Sequence, residues 1–215
     1  MLHKIKYLLI FVPFLIVSCS FKGVKGNGNI VEDTRNVSEF SKIDVSGNYE
    51  VEINIGENTL VEIIAEENLL KLIKTKVKKH TLYISSRENL RPTEDLLIRI
   101  SVENLSAIEC SGVNDIIANN VDTEEFDIEL SGAGSILING KAERFFLEIS
   151  GAADIEAKDF IVEDVVIEVS GAANAEVYAS QSVDAEVSGA GFIELYGDAK
   201  RVRTDISGAG SLVRK

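Results

Sequence analysis

The chain has 215 residues and carries 22 Lys and Arg against 35 Asp and Glu, a formal net charge of -13. Binding to nucleic acid needs a basic surface, so we expect no nucleic-acid partner. The chain also contains no Trp, which weighs against a sugar-binding site built on exposed aromatic rings.

The first residues are typical of a secretory signal. Lys4 and Lys6 precede an apolar run, Tyr7 to Val17, that is too short to span a bilayer as a folded helix. The run ends in IVSC, which resembles the bacterial lipoprotein box. That resemblance implies a signal peptide over 1–18, cleavage before Cys19, and acyl chains on Cys19 that attach the protein to a membrane. The alternative is an ordinary secretory signal with a chance cysteine.

Residues 19–29 are rich in glycine and predict a flexible tether between lipid and domain. Residues 30–105 alternate apolar and polar side chains, which predicts a strand-rich section with a bend at Gly47-Asn48. A Leu- and Lys-rich stretch predicts one short helix near Asn68 to Ile73.

From Ser106 onward the sequence repeats. Residues one, three and five positions before each repeated serine are nearly all apolar, so they lie on one side of a strand. Gly and Ala fill most positions two and three residues after the serine, as a sharp corner requires. The period is about 19 residues, and the Ser-Gly pairs start at Ser111, Ser131, Ser150, Ser170, Ser188 and Ser207.

This period predicts an all-β fold, a parallel β-helix in which each coil of about 19 residues stacks on the previous one. We expect one domain over 30–215, with the strand-rich section over 30–105 and regular coils over 106–215. An antiparallel meander with two strands per period is the competing fold. The repeats run in one identical sense, which favours the β-helix.

The stretches GNGNIVEDTRNVSEFSKIDVSGNYEVEI and NLLKLIKTKVKKHTLYIS, followed by the Ser-Gly-Ala repeats, resemble the putative auto-transporter adhesin, head GIN domain family. The resemblance covers about Asn36 to Val213. It implies a right-handed β-helix and a lipoprotein of the kind common in Bacteroidetes. Its motifs are patterns of strand and corner, so it brings no binding or catalytic residues.

An acidic ladder stands two residues before the repeated serines and is expected to point outward. One interpretation is a cation-binding ladder, because carboxylate and hydroxyl oxygens suit calcium. The other is a solvated face that keeps the sheet soluble, and the absence of a repeated Gly-Asp calcium loop favours it, so we predict no metal. The ladder consists of Glu109, Glu129, Glu148, Glu168, Glu186 and Asp205.

Phe146 and Val166 lie four residues before their serines, where side chains face outward, so they form a possible apolar contact. The alternatives are a covering loop or an error in the assigned register. Cys110 falls in an apolar column, and His80 is the only histidine after the signal segment. With neither residue set up as a nucleophile or base, and no known catalytic motif, we predict no catalytic residues, no cofactor and no enzyme.

The charge is distributed unevenly along the repeats. Residues 106–199 hold 20 acidic and 3 basic side chains, whereas 200–215 hold five basic side chains and one acidic. Positive charge on the last coil could block growth at an open edge. Alternatively, it could dock on the acidic flank of a second molecule and give weak self-association.

These observations predict a cell-envelope protein, an outer-membrane lipoprotein anchored through Cys19, that acts as a non-catalytic, adhesin-like binding module. Its protein or glycan ligand is not indicated. One alternative is a periplasmic structural or stress-response lipoprotein without an external ligand, and another is a polysaccharide-active β-helix enzyme. Residues 20–23 lack the acidic cluster that resembles a surface-export signal, which favours the periplasmic face.

Overall fold

A computed structural model describes residues 22–56 and 58–215. The predicted signal peptide, Cys19 and the first part of the predicted tether lie outside the described residues. Within these two ranges, no helix combines the length and the apolar character needed to cross a membrane.

The described chain is almost entirely β-structure with one short helix. The elements in chain order are β1 (Val24–Lys25), β2 (Ile30–Arg35), β3 (Lys42–Ile55), β4 (Leu60–Glu66), α1 (Glu67–Leu70), β5 (Ile73–Lys78), β6 (Thr81–Ser86), β7 (Leu90–Arg91), β8 (Leu97–Val102), β9 (Ala107–Ala157), β10 (Phe160–Tyr178), β11 (Ser182–Tyr196), β12 (Arg201–Gly208) and β13 (Ser211–Arg214).

The repeats stack on one another in parallel and in register. β10 pairs with β9 on one side and with β11 on the other, and β11 pairs with β12 and β13, all in parallel. The repeated serines are direct neighbours, with Ser170 opposite Ser188 and Ser188 opposite Ser207. Parallel pairing excludes the antiparallel meander for these strands. We call each repeat a coil.

The stack begins earlier in the sequence than the predicted regular coils. β3 pairs in parallel with the start of β9, which places Ser46 opposite Ser111 and Gly47 opposite Gly112. The other edge of β3 pairs in parallel with β6 and β8, which together make an outer coil. The spatial order of the coils therefore differs from their order along the chain.

Antiparallel strands cover the N-terminal end of the stack, so the sheet as a whole is mixed. β4 pairs antiparallel with β8, β2 with β4, and β5 with β6. The helix is found at Glu67–Leu70 rather than Asn68 to Ile73, because β5 already begins at Ile73. The mixed pairing is a departure from a purely parallel fold and is confined to this end.

A buried carboxylate fastens the N-terminal cover. Glu66 is fully buried and accepts hydrogen bonds from the backbone N–H of Gly28 at 2.7 Å and of Thr93 at 3.0 Å. The Thr93 hydroxyl donates to the same carboxylate at 2.7 Å. A side chain at Gly26 would overlap this carboxylate and would have to displace it from its hydrogen bonds.

Apolar columns fill the interior along the length of the stack. The ring of Phe160 meets those of Phe126 and Phe145 edge to face, with centroids 5.7 Å and 5.3 Å apart. Val169 is 3% exposed, as expected for an inward column. Ile206, its counterpart on the last coil, is only half-buried because β12 is the outermost strand at this end of the sheet among the described residues.

A column of glycines lies where each coil turns after its serine. Gly132 has φ +146°, and a Cβ placed on it would lie 2.2 Å from the carbonyl oxygen of Gly112 on the coil below. Gly151 stands in the same relation to Gly132, and the contact repeats up to Gly208. Backbones approach so closely here that no side chain fits.

Candidate binding surface

The acidic ladder forms one exposed column on a face of the stack. Glu148 lies opposite Glu168, Glu168 opposite Glu186, and Glu186 opposite Asp205. All six predicted members are exposed. The column also contains Asp44, which lies opposite Glu109 and was not part of the sequence prediction. The stretch IDVSGN could have revealed it, because it matches IECSGV of the next coil.

Crowding of like charges perturbs the start of this column. Partial desolvation of its carboxyl group, and then the negative charges of Asp44 and Glu129, raise the pKa of Glu109, against the opposing charge of Lys42. Burial and the charge of Glu125 likewise raise the pKa of Asp127, which lies beside the column. The face is therefore strongly negative, and its carboxylates repel one another.

An apolar pair interrupts the acidic face. Phe146 lies directly opposite Val166 on the neighbouring coil, as their positions in the repeat predict. Phe146 is 37% exposed and Val166 is half-buried, so no loop covers Phe146. The pair borders a shallow groove of about 320 Å³, lined by Lys42, Ala107, Ile108, Glu109, Asp127, Ile128, Glu129, Phe146, Leu147, Glu148, Val166 and Glu168.

A second groove lies on the part of each coil that follows the glycine corner. It measures about 330 Å³ and contains Ile117 and Leu137, which are 41% and 38% exposed. Acidic side chains surround them, including Asp115, whose carboxylate accepts a hydrogen bond from the Ser135 hydroxyl at 2.6 Å. Both faces thus combine a pair of apolar side chains, at least one of them exposed, with flanking carboxylates.

Basic side chains of the last coil pair with acidic side chains of the coil beneath. Arg203 contacts Asp184 at 3.2 Å, and Lys215 contacts Glu194 at 2.9 Å. Lys215 lowers the pKa of Glu194 through this hydrogen bond. The positive end predicted from the sequence is therefore partly neutralised within the molecule.

Neither candidate nucleophile nor candidate base is placed for catalysis. Cys110 is 5% exposed, and burial, followed by the charges of Asp44 and Glu129, raises its pKa to about 12. His80 is exposed in a turn with φ +61°. Within residues 22–56 and 58–215, no three His, Cys, Asp or Glu side chains cluster as metal ligands.

A family model described as putative auto-transporter adhesin, head GIN domain, matches residues 39–199. No curated protein is similar enough to the chain to count as a match.

Solved structures of three bacterial proteins share the fold. A putative adhesin from Bacteroides fragilis is 24% identical and superposes with a TM-score of 0.73, over 90% of this chain and all of the other. A putative adhesin from Parabacteroides merdae is 18% identical, with a TM-score of 0.59 over 89% and 98% of the two chains. A putative lipid binding protein from Parabacteroides distasonis is 21% identical, with a TM-score of 0.58 over 89% and 99%.

Proposed function

The chain belongs to the putative auto-transporter adhesin, head GIN domain family, and from this premise we propose that it is a non-catalytic binding module of the cell envelope. The groove beside Phe146 and Val166 is the proposed contact surface. The observation that carries the proposal is an apolar pair, exposed Phe146 and half-buried Val166, in register on two neighbouring coils within a face of carboxylates.

The chemistry of this groove favours a partner with apolar and basic side chains in an extended segment. Its charged lining is acidic except for Lys42, so a cationic partner gains electrostatic attraction, and this attraction speeds encounter. The apolar pair can pack against apolar side chains of the partner and exclude water between the charged groups. The regular spacing of about 4.8 Å between neighbouring strands also suits an extended chain lying across the sheet.

The coils are proposed to wind as a right-handed β-helix. Parallel register between successive repeats supports this winding, as do the buried columns inside and the repeated glycine corner. A parallel crossover connection is almost always right-handed. Such a winding would give the binding face the stiffness of a solenoid.

Lipid attachment at Cys19 is likewise proposed, on the lipoprotein-like motif that contains it. It predicts incorporation of labelled fatty acid that is abolished in Cys19→Ser, and a soluble protein in that variant. Protease shaving of intact cells then distinguishes the two faces of the membrane. Cleavage would support a surface adhesin, whereas protection would support the periplasmic face and the structural lipoprotein without an external ligand.

The binding proposal can be tested with a displayed library of random peptides, selected on the purified protein. We expect enrichment of peptides that alternate basic and apolar residues, and loss of their binding in Phe146→Ser. Phe192→Ser is the matched control, because Phe192 is 40% exposed but lies on the other strand of its coil. No enrichment, or binding that Phe146→Ser leaves unchanged, would contradict the proposal. Glycan arrays and anionic vesicles serve as competing probes.

A further inference from the structure

The two ends of the stack are built differently. The N-terminal end is covered by the antiparallel strands β2, β4 and β5. At the other end, β12 and β13 pair with β11 on one side, and no strand within 22–56 and 58–215 pairs with their outer edge. The last coil therefore presents an unpaired strand edge, and its inward-facing side chains are only partly covered.

The backbone of β12 shows which residues offer free hydrogen-bonding groups. The N–H of Arg201 donates to Gln181 at 3.1 Å and that of Ala209 to Gly189 at 2.8 Å, so odd-numbered residues face β11. Pairing alternates along a strand, so the N–H and C=O groups of Val202, Thr204 and Ile206 face the open edge.

The side chains of these same residues lack cover. Val202 and Ile206 are half-buried and Thr204 is exposed, whereas their register partners on β11 are at most 2% exposed. The free edge and the uncovered apolar positions therefore coincide on one strand.

We propose that β12 pairs antiparallel with β12 of a second copy around a two-fold axis through Thr204. Two stacks would then join end to end as a closed dimer. The three outward-facing residues would form three hydrogen-bonded pairs, which exchange about six backbone hydrogen bonds. Val202 would pack on Ile206 of the second copy, continuing the apolar interior across the junction.

Charge selects this register over its neighbours. With Thr204 at the axis, Arg203 lies opposite Asp205 of the second copy, and the same contact occurs twice. Centring the pairing on Arg203 or on Asp205 would place like charges opposite each other, which is destabilising. A register shifted by one residue would require backbone groups that already bond to β11 to pair with the second copy. The stretch RVRTDIS is thus complementary to itself in one register.

The proposed contact is closed, because the two-fold axis joins the same edge of β12 in both copies. Once paired, this edge is no longer available to a third copy, so the contact by itself gives a dimer. This mode differs from docking of the basic end on the acidic flank of another molecule, which would form an open chain of copies.

Sedimentation of the purified protein over a range of concentrations tests the proposal. We expect a monomer–dimer equilibrium; the full chain of 215 residues has a mass of 23.4 kDa, and the monomer is smaller by the signal peptide where that is cleaved. Asp205→Arg alone should weaken the dimer by about tenfold to a hundredfold. Arg203→Asp should weaken it as well, although it also breaks the ion pair with Asp184 of the same chain. The double variant, with both charges exchanged, should restore it. Arg201→Asp is the matched control, since Arg201 lies opposite the neutral Ser207 of the second copy in this register.

Two further variants address the axis itself. Thr204→Pro removes an outward N–H without touching the bonds to β11, and it should dissociate the dimer while the melting temperature of the monomer is kept. Thr204→Cys, in a Cys19→Ser background, should form a disulfide-linked dimer on oxidation, because the two Cα atoms would lie about 5.5 Å apart. A monomer at all concentrations, an open oligomer, or a double variant that fails to recover would overturn the proposal.

Discussion

Adding a single methyl group to the glycine column should show how tightly the coils are stacked. A Cβ at Gly132 would lie 2.2 Å from the carbonyl oxygen and 2.9 Å from the nitrogen of Gly112. Both neighbours are backbone atoms, so no side-chain rotation can relieve the overlap. In Gly132→Ala the coil has to move outward, yet the coil above holds Gly132 through the same contact with Gly151.

The expected cost has two parts. A non-glycine residue at φ +146° costs about 1 to 3 kcal/mol in backbone strain. Separating two coils would add about 1 to 3 kcal/mol through weakened hydrogen bonds and packing. Together we expect Gly132→Ala to lower the free energy of unfolding by about 2 to 6 kcal/mol. For a domain of this size that corresponds to a fall in melting temperature of about 4 to 24 °C.

Gly208→Ala separates these two parts. Gly208 has φ +141°, and its added Cβ would lie 2.2 Å from the carbonyl oxygen of Gly189, so strain and overlap match those at Gly132. In the monomer the outer edge of the last coil is free, so this coil can shift and only the strain should remain. Calorimetry and urea unfolding of both variants provide the measurement. Equal losses, or no loss in Gly132→Ala, would refute the argument that stacking confines the corner.

Three other outcomes follow from buried and crowded groups. Glu66→Gln should raise hydrogen exchange in the segment around Gly28 and Thr93 while global melting changes less, because the amide cannot accept all three hydrogen bonds. The pKa of Glu66 is lowered, with hydrogen bonds from Thr93 and Gly28 outweighing burial, so its contribution to stability is present above its unfolded pKa and lost as pH falls. The pKa of Glu109 is raised, chiefly by partial desolvation, so its ionised form destabilises the folded state at neutral pH. Acidification toward its folded pKa should therefore raise the melting temperature. Glu109→Gln should stabilise the protein at neutral pH and abolish that part of the pH dependence of melting. The Cys110 thiol, with a pKa of about 12, should react with a thiol reagent only after unfolding, and reaction in the native state would contradict its burial.

Periodicity made the regular coils predictable. The apolar residues one, three and five positions before each serine identify the inward side of the strand, and Gly and Ala identify the corner. The first coil was harder to recognise, because its Ser46-Gly47 pair stands 65 residues before the next one. The antiparallel cover was not predicted either, since strand-like alternation does not say which strand pairs with which.

The acidic column and the pair of Phe146 and Val166 could be located from their positions in the repeat. The groove between them could not, because its shape depends on Lys42 and Asp127, which come from different coils. The sequence predicted an open edge at the last coil, because basic side chains are concentrated over residues 200–215. Its self-complementary register became visible only once the hydrogen-bond parity of Arg201 and Ala209 was known.

The place of β3 in the stack bears on how the polypeptide is made. All its parallel neighbours, through Asn119 on β9, are translated after Ile55. At about 5 to 20 residues per second, this strand waits roughly 3 to 13 s before the last of them exists. Bringing together residues 65 apart costs about 1 kcal/mol more loop-closure entropy than joining residues 19 apart. We therefore expect folding to begin among the later repeats and the N-terminal strands to join the stack last.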